Sequence, residues 1–152
     1  MDKTDKAILE LLQTNADIST TEIADRVGLS TTPCWRRIQR LEADGVIRQR
    51  VALLDRDALN LGVSVFVSIK TNQHNLQWLE RFAQRVSEFR EVVEFYRMAG
   101  ESDYLLRVVV PDIGAFDRFY KKLIQTTDIA DVSSSFAMEQ IKYTTALPLD
   151  HA

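Results

Sequence analysis

Two histidines and a single cysteine are all that this chain of 152 residues offers to soft-metal binding or thiol chemistry. His74 and His151 are far apart and Cys34 stands alone, so no ligand cluster of the usual metal spacing is present. Nor can an internal disulfide form, which makes a reducing cytoplasm the expected compartment. No GxSxG, Walker or dinucleotide fingerprint is present either. The reading is of a protein that is not an enzyme, with no metal and no cofactor. No apolar run approaches the ~18–20 residues that span a bilayer, and no membrane partner is expected. The first residues, MDKTDKAILELLQ, lack a cationic start followed by an apolar block and do not read as a signal peptide. Low-complexity segments are absent too. What remains is 45% hydrophobic and 27% charged, the composition of an ordinary globular protein. Its length suits one medium domain or two small ones.

Charge is sparse on average and uneven in place. The formal net charge is −3, which alone speaks against nucleic acid. Phosphate attraction, however, acts over roughly a Debye length of ~8–10 Å, so local charge decides. Residues 30–50 hold Arg36, Arg37, Arg40, Arg48 and Arg50 against only Glu42 and Asp44. One short basic segment on an otherwise acidic chain suits focused contact with double-stranded DNA better than a nonspecific polybasic coat.

The first fifty residues read as three helices. Asp5 or Thr4 can cap the first, and Ile8, Leu11 and Leu12 give it an apolar stripe. The turn formers of NADIS (15–19) end it. Thr20 or Thr21 caps a short second helix that buries Ile23, Ala24 and Val27. Gly28 makes the left-handed exit, with Leu29 tucked beneath the turn. Ser30 is the expected N-cap of a third helix, with Pro33 in its first turn and Gly45 just past its end. On that helix Cys34, Ile38 and Leu41 share one stripe. Thr32, Arg36, Gln39 and Arg40 fall roughly opposite, with Arg37 flanking. VIRQRVALL then reads as a short hairpin or strand, a wing carrying Arg48 and Arg50.

The second half has a different rhythm. VSVFVSIK (63–70) alternates as a strand and 76–89 carries apolar residues at helical spacing. EVVEFYRMA (91–99) and YLLRVVV (104–110) are strands joined by the turn GESD. Pro111 stops the third strand and Asp112 can cap a helix holding Phe116, Phe119, Tyr120 and Leu123. VSSSFAMEQIKY (132–143) is the final strand. This β-α-β-β-α-β order predicts a ferredoxin-like domain, two helices on one face of a four-stranded antiparallel sheet. The fold class is thus α+β, with a winged helix-turn-helix at 1–50, a linker at 51–62 and the ferredoxin-like domain at 63–152. Both sheet faces are rich in apolar residues, among them Phe66, Phe95, Leu106 and Val108. An uncovered apolar face of several hundred Å² is rarely kept by a monomer, so sheet-to-sheet dimerisation is expected.

Three segments in register give a family resemblance. The start MDKTDKAILELLQ is similar to LDxxDxxIL, VGLSTTPCWRRIQRLEADGVI (27–47) to VGLSxxxVxxRVxRLExxGVI, and GESDYLLRVVVPD (100–112) to GxxDYLLxVxxxD. Together they resemble the Lrp/AsnC family, the leucine-responsive or feast/famine transcriptional regulators of bacteria and archaea. The likeness runs over nearly the whole chain, and the middle motif is the specific one. The resemblance implies a cytoplasmic, nucleoid-associated regulator that forms homodimers, and tetramers or octamers from them. It also implies an amino acid effector, leucine or methionine, bound in the C-terminal domain near contacts between dimers. Carried over by position, the site comprises Met98, Gly100, Asp103 and Tyr104, with Glu101 as the acidic residue after the glycine, and Ser135, Phe136 and Ala137 on the last strand. Ser135 stands where leucine-responsive members often carry an aromatic, which changes the size of the pocket.

Chemistry gives these residues roles beside the resemblance. Arg36 and Arg40 can bind guanine O6 and N7 bidentately or clamp phosphate, and Thr32 and Gln39 can bond base edges or phosphates beside them. Ser30 and Thr31 lie at a helix N-terminus, which favours phosphate. The bland alternative is an arginine-solvated helix. Trp35 either packs against the wing or stacks on sugar, and Arg48 and Arg50 either touch the DNA backbone or keep an edge strand soluble. Gly100 permits a tight turn whose N–H groups converge on a carboxylate, while Asp103 and Glu101 can take an ammonium. Met98 and Phe136 then accept an aliphatic side chain. Otherwise GESD is only a hairpin turn. The rival function is a nucleoid-like DNA-organising protein with no effector.

Overall fold

The computed structural model describes residues 1–126 and 128–152. Met1–Leu53 and Lys142–Ala152 form one compact unit and Leu54–Ile141 a second. The last residues, 142–152, lie with the first unit.

Three helices, α1 (Lys3–Thr14), α2 (Thr20–Val27) and α3 (Thr31–Ala43), build the first unit. Ile8, Leu9, Ile18, Ile23, Ala24, Cys34, Ile38 and Leu41 are its core, with Val27, Leu29 and Ile47 half-buried around them. α3 starts where expected, after Ser30, whereas α1 and α2 begin earlier than propensity alone suggests. The cap of α1 is Asp2, not Asp5 or Thr4. Asp2 accepts from the Asp5 N–H at 2.8 Å while the Asp5 carboxylate accepts from the Asp2 N–H, a reciprocal box. Ser19, not Thr20 or Thr21, caps α2 through the Glu22 N–H. Gly28 leaves α2 at φ 72°, as a left-handed exit requires.

No strand forms over residues 46–54, so the expected wing hairpin is absent from the single chain. The segment carries the right side chains but has no neighbouring strand to pair with, and an unpaired extended segment is not a sheet. The tail of the chain instead anchors on α1. Gln13 accepts from the Leu147 N–H at 2.6 Å and donates to its carbonyl at 3.2 Å, and Leu149 packs against the core.

The second unit runs β1 (Val63–Lys70), α4 (Leu76–Ser87), β2 (Val92–Arg97), β3 (Tyr104–Val110), α5 (Ile113–Thr126) and β4 (Asp131–Phe136). The strands lie in the order β2-β3-β1-β4, all antiparallel, which is the ferredoxin-like arrangement. Asn75 caps α4 and Asp112 caps α5 through the Ala115 N–H. The final strand ends at Phe136 rather than at 143. Ala137 still donates to the Ser64 carbonyl, but β1 begins at Val63 and offers the ladder nothing further.

Alternation sorts the two sheet faces. Val65, Val67 and Ile69 of β1 and Tyr104, Leu106, Val108 and Val110 of β3 pack beneath Phe82 and Val86 of α4 and Phe116, Phe119 and Leu123 of α5. Phe95 joins this covered side. The opposite face presents Phe66, Tyr96, Leu105 and Val109 among Ser68, Ser133 and Ser135, with a Glu94–Arg107 ion pair of 2.9 Å. It is apolar at its centre, and α4 and α5 both pack on the other side of the sheet.

Candidate nucleic-acid interface and ligand cleft

The geometry of α3 follows from its buried stripe. Cys34, Ile38 and Leu41 are at most 3% exposed, which turns Thr31, Thr32, Arg36, Gln39 and Arg40 outward. Burial pushes the Cys34 thiol above its ordinary pKa, as an apolar surround does for any group that ionises to an anion. Ser30 occupies the N-cap position with extended backbone, yet its hydroxyl makes no cap hydrogen bond. Hydroxyl and first-turn N–H groups are thus left for an external acceptor. Trp35 on the same helix is 52% exposed.

The arginines differ sharply in their partners. Arg36 is exposed, with no hydrogen-bond or ion-pair partner among the described residues. Arg37 donates from one nitrogen to Asp2 at 2.6 Å and to Asp5 at 2.8 Å, and Arg40 donates to the other Asp5 oxygen at 2.6 Å. The Asp2 carboxyl is held below the usual carboxylate range by the Asp5 N–H and then by Arg37. Arg37 is held more firmly protonated by Asp2 and then Asp5. Gln39 donates to Glu42, and Arg50 pairs with Glu42 at 3.0 Å. The role of Asp5 is absent from the reading of the sequence, which treats it as a cap. Its position three residues before Ile8 on the inward stripe is the clue, because a buried carboxylate demands a cation.

In the second unit a cleft of about 260 Å³ is lined by Gln73, His74, Asn75, Leu76, Leu79, Arg97, Met98, Asp103 and Tyr104. Of the expected ligand residues it gathers Met98, Asp103 and Tyr104. Gly100, at φ 137°, makes the turn beside them, and Glu101 points to Lys70 at 3.5 Å. The Asp103 carboxylate accepts from the Thr71 N–H at 2.8 Å, and its backbone bonds Ile69 and Met98. Burial raises the Tyr104 pKa. Ser135, Phe136 and Ala137 are not brought to this cleft within one chain. Phe136 pairs with Val65, whereas Asp103 bonds at Ile69 on the other side of β1, about 13 Å along the strand. Gln73, His74, Asn75 and Arg97 belong to the cleft without having been expected. They come from the turn leading into α4 and the end of β2, which only the fold brings together.

Comparison with known proteins fits both halves. Residues 1–48 match the winged helix-turn-helix DNA-binding family model, and residues 64–147 match the Lrp/AsnC ligand binding domain. The chain is 50% identical to the DNA-binding transcriptional activator DecR of Escherichia coli K12, covering 99% of each sequence. It is 49% identical to the glutamate uptake regulatory protein of Zymomonas mobilis, covering 98% of this chain and 91% of that protein. Among solved structures, an AsnC family transcriptional regulator from Agrobacterium tumefaciens superposes with a TM-score of 0.96 at 63% identity, over 99% of this chain and 98% of that one. A transcriptional regulator from Neisseria meningitidis in complex with L-Met gives 0.95 at 39% identity over the same shares. None of the compared proteins is described as an enzyme. By these matches the chain belongs to the Lrp/AsnC family of DNA-binding transcriptional regulators.

Proposed function

We propose that α3 binds operator DNA through Ser30, Thr31, Thr32, Arg36, Arg37, Gln39 and Arg40, in an oligomer whose DNA affinity is set by an amino acid held in the second unit. The observation that carries the DNA half is the outward flank of α3, with Arg36 unpaired above a sealed Cys34–Ile38–Leu41 stripe. An unpaired guanidinium gives up no protein partner when it meets phosphate or guanine. Arg36→Ala is expected to weaken binding to sheared genomic DNA by about tenfold, the scale of one charge-assisted contact. Fluorescence anisotropy at physiological salt checks this, and unchanged affinity in both Arg36→Ala and Arg40→Ala would remove α3 as the reading helix.

The effector half rests on the cleft beside Gly100. Arg97 suits a free carboxylate, and Asp103, with one oxygen on Thr71, keeps the other for an ammonium. Leu76, Leu79 and Met98 supply apolar wall for an aliphatic side chain such as leucine or methionine. The L-Met complex of the Neisseria relative supports this class of ligand. Gly100 and Glu101 shape the turn, and Ser135, Phe136 and Ala137 reach a ligand from a neighbouring subunit. The assembly is a homodimer closed over the Phe66 face, with tetramers or octamers built from it, and it acts on the nucleoid in the cytoplasm. Calorimetric titration with leucine, methionine and the other amino acids tests the effector. Heat with none of them would leave a DNA-organising protein without an effector.

A further inference from the structure

The first unit holds one acidic side chain that is almost wholly out of solvent, and it faces the arginines. Asp5 is 2% exposed. Both of its carboxylate oxygens are taken by side chains from α3, Oδ1 by Arg37 at 2.8 Å and Oδ2 by Arg40 at 2.6 Å. Oδ2 also accepts from the Asp2 N–H at 3.4 Å. The Arg40 side chain remains 54% exposed and the Arg37 side chain 29%. A guanidinium carries five N–H donors in a rigid fork, and the bonds to Asp5 use only part of each set. Arg37 and Arg40 are thus clamped at one edge and open at another.

We propose that Asp5 is a positioning residue for DNA recognition: it clamps the Arg37 and Arg40 guanidiniums so that their free edges meet phosphate in a fixed geometry, while Arg36 is left unclamped. The proposal rests on α3 being the DNA-reading helix and deepens it. Three arginines that look alike in sequence then divide their work. A long side chain loses rotamer freedom when it binds, and one already clamped in the free protein loses less. The clamp also ties the start of α1 to the middle of α3, so the orientation of the reading helix and of its arginines is set by one carboxylate.

Simple electrostatics predicts the opposite sign, which makes the idea testable. Removing a negative charge from a DNA-binding unit tightens binding when charge alone matters. Asp5→Asn is expected instead to weaken binding to sheared genomic DNA by about tenfold, the scale of one charge-assisted hydrogen bond. It is also expected to flatten the dependence of log affinity on log salt, since fewer phosphates are engaged. In an Arg37→Ala/Arg40→Ala background the same substitution is expected to cost nothing further, because its effect passes through those side chains. Equal or tighter binding by Asp5→Asn, or an undiminished loss in that background, overturns the proposal. Should Asp5→Asn fail to fold by circular dichroism, Arg40→Lys decides. It keeps the charge but not the fork, and unchanged affinity overturns the clamp. Full affinity in both Arg36→Ala and Arg40→Ala is a different result, the failure of α3 as the DNA-binding element.

Discussion

The thiol of Cys34 illustrates how far a single residue's chemistry depends on its neighbours. It lies in the core of the first unit, and burial raises its pKa above the ordinary thiol value of 9.0. Because the folded value is the higher one, the stability linked to this group is complete below the ordinary thiol pKa and is lost as pH climbs toward the raised one. The margin of wild type over Cys34→Ala in chemical denaturation is therefore expected to hold steady through neutral pH and shrink under alkaline conditions. A margin that grows with alkaline pH would contradict the burial account. The same burial keeps the thiol protonated and out of solvent, which makes it a poor nucleophile. Asp2 behaves in the opposite sense. Its lowered pKa means that its contribution is present above the usual carboxylate range and is lost on acidification through the folded value.

At the scale of elements, caps and sheet register set where each helix and strand stops. Ser19 starts α2 by accepting from the Glu22 N–H at 3.1 Å. Ser19→Ala is expected to lower stability by about 1 kcal/mol, read from urea denaturation, and Ser19→Asp to keep it. Were Thr20 or Thr21 the true cap, Ser19→Ala would change nothing. Much of this level is written in the sequence. The β1 segment, the β3 segment, the αL exit at Gly28 and the Asp112 cap are all readable from alternation and local chemistry. The failures share a cause. The wing and the long final strand needed hydrogen-bonding partners, and periodicity says which side chains alternate without saying what lies alongside.

For the whole molecule, the consequential feature is the sheet face opposite α4 and α5. Phe66 and Tyr96 are 39% and 50% exposed there, beside Leu105 and Val109. Closure of two such faces buries them, and it is the assembly proposed above. Phe66→Lys is expected to shift sedimentation from oligomer toward monomer, since a desolvated lysine at such a contact has no partner. A homodimer of unchanged mass would move the interface elsewhere. The arginine clamp and the cleft are also products of this scale. Asp5 meets Arg40 thirty-five positions away, and Gln73 lines one cleft with Arg97 although a helix and a strand lie between them in the chain.

Sequence alone settled the fold class, the helical stripe of Cys34, Ile38 and Leu41, and the outward flank that carries the arginines. Those depend on periods of 3.6 and 2, which are local properties of a chain. Tertiary structure decided which arginines are free, which residues share the cleft, and which apolar sheet positions remain open. Each of these depends on distance in space between segments that are distant along the chain, and no local period encodes that.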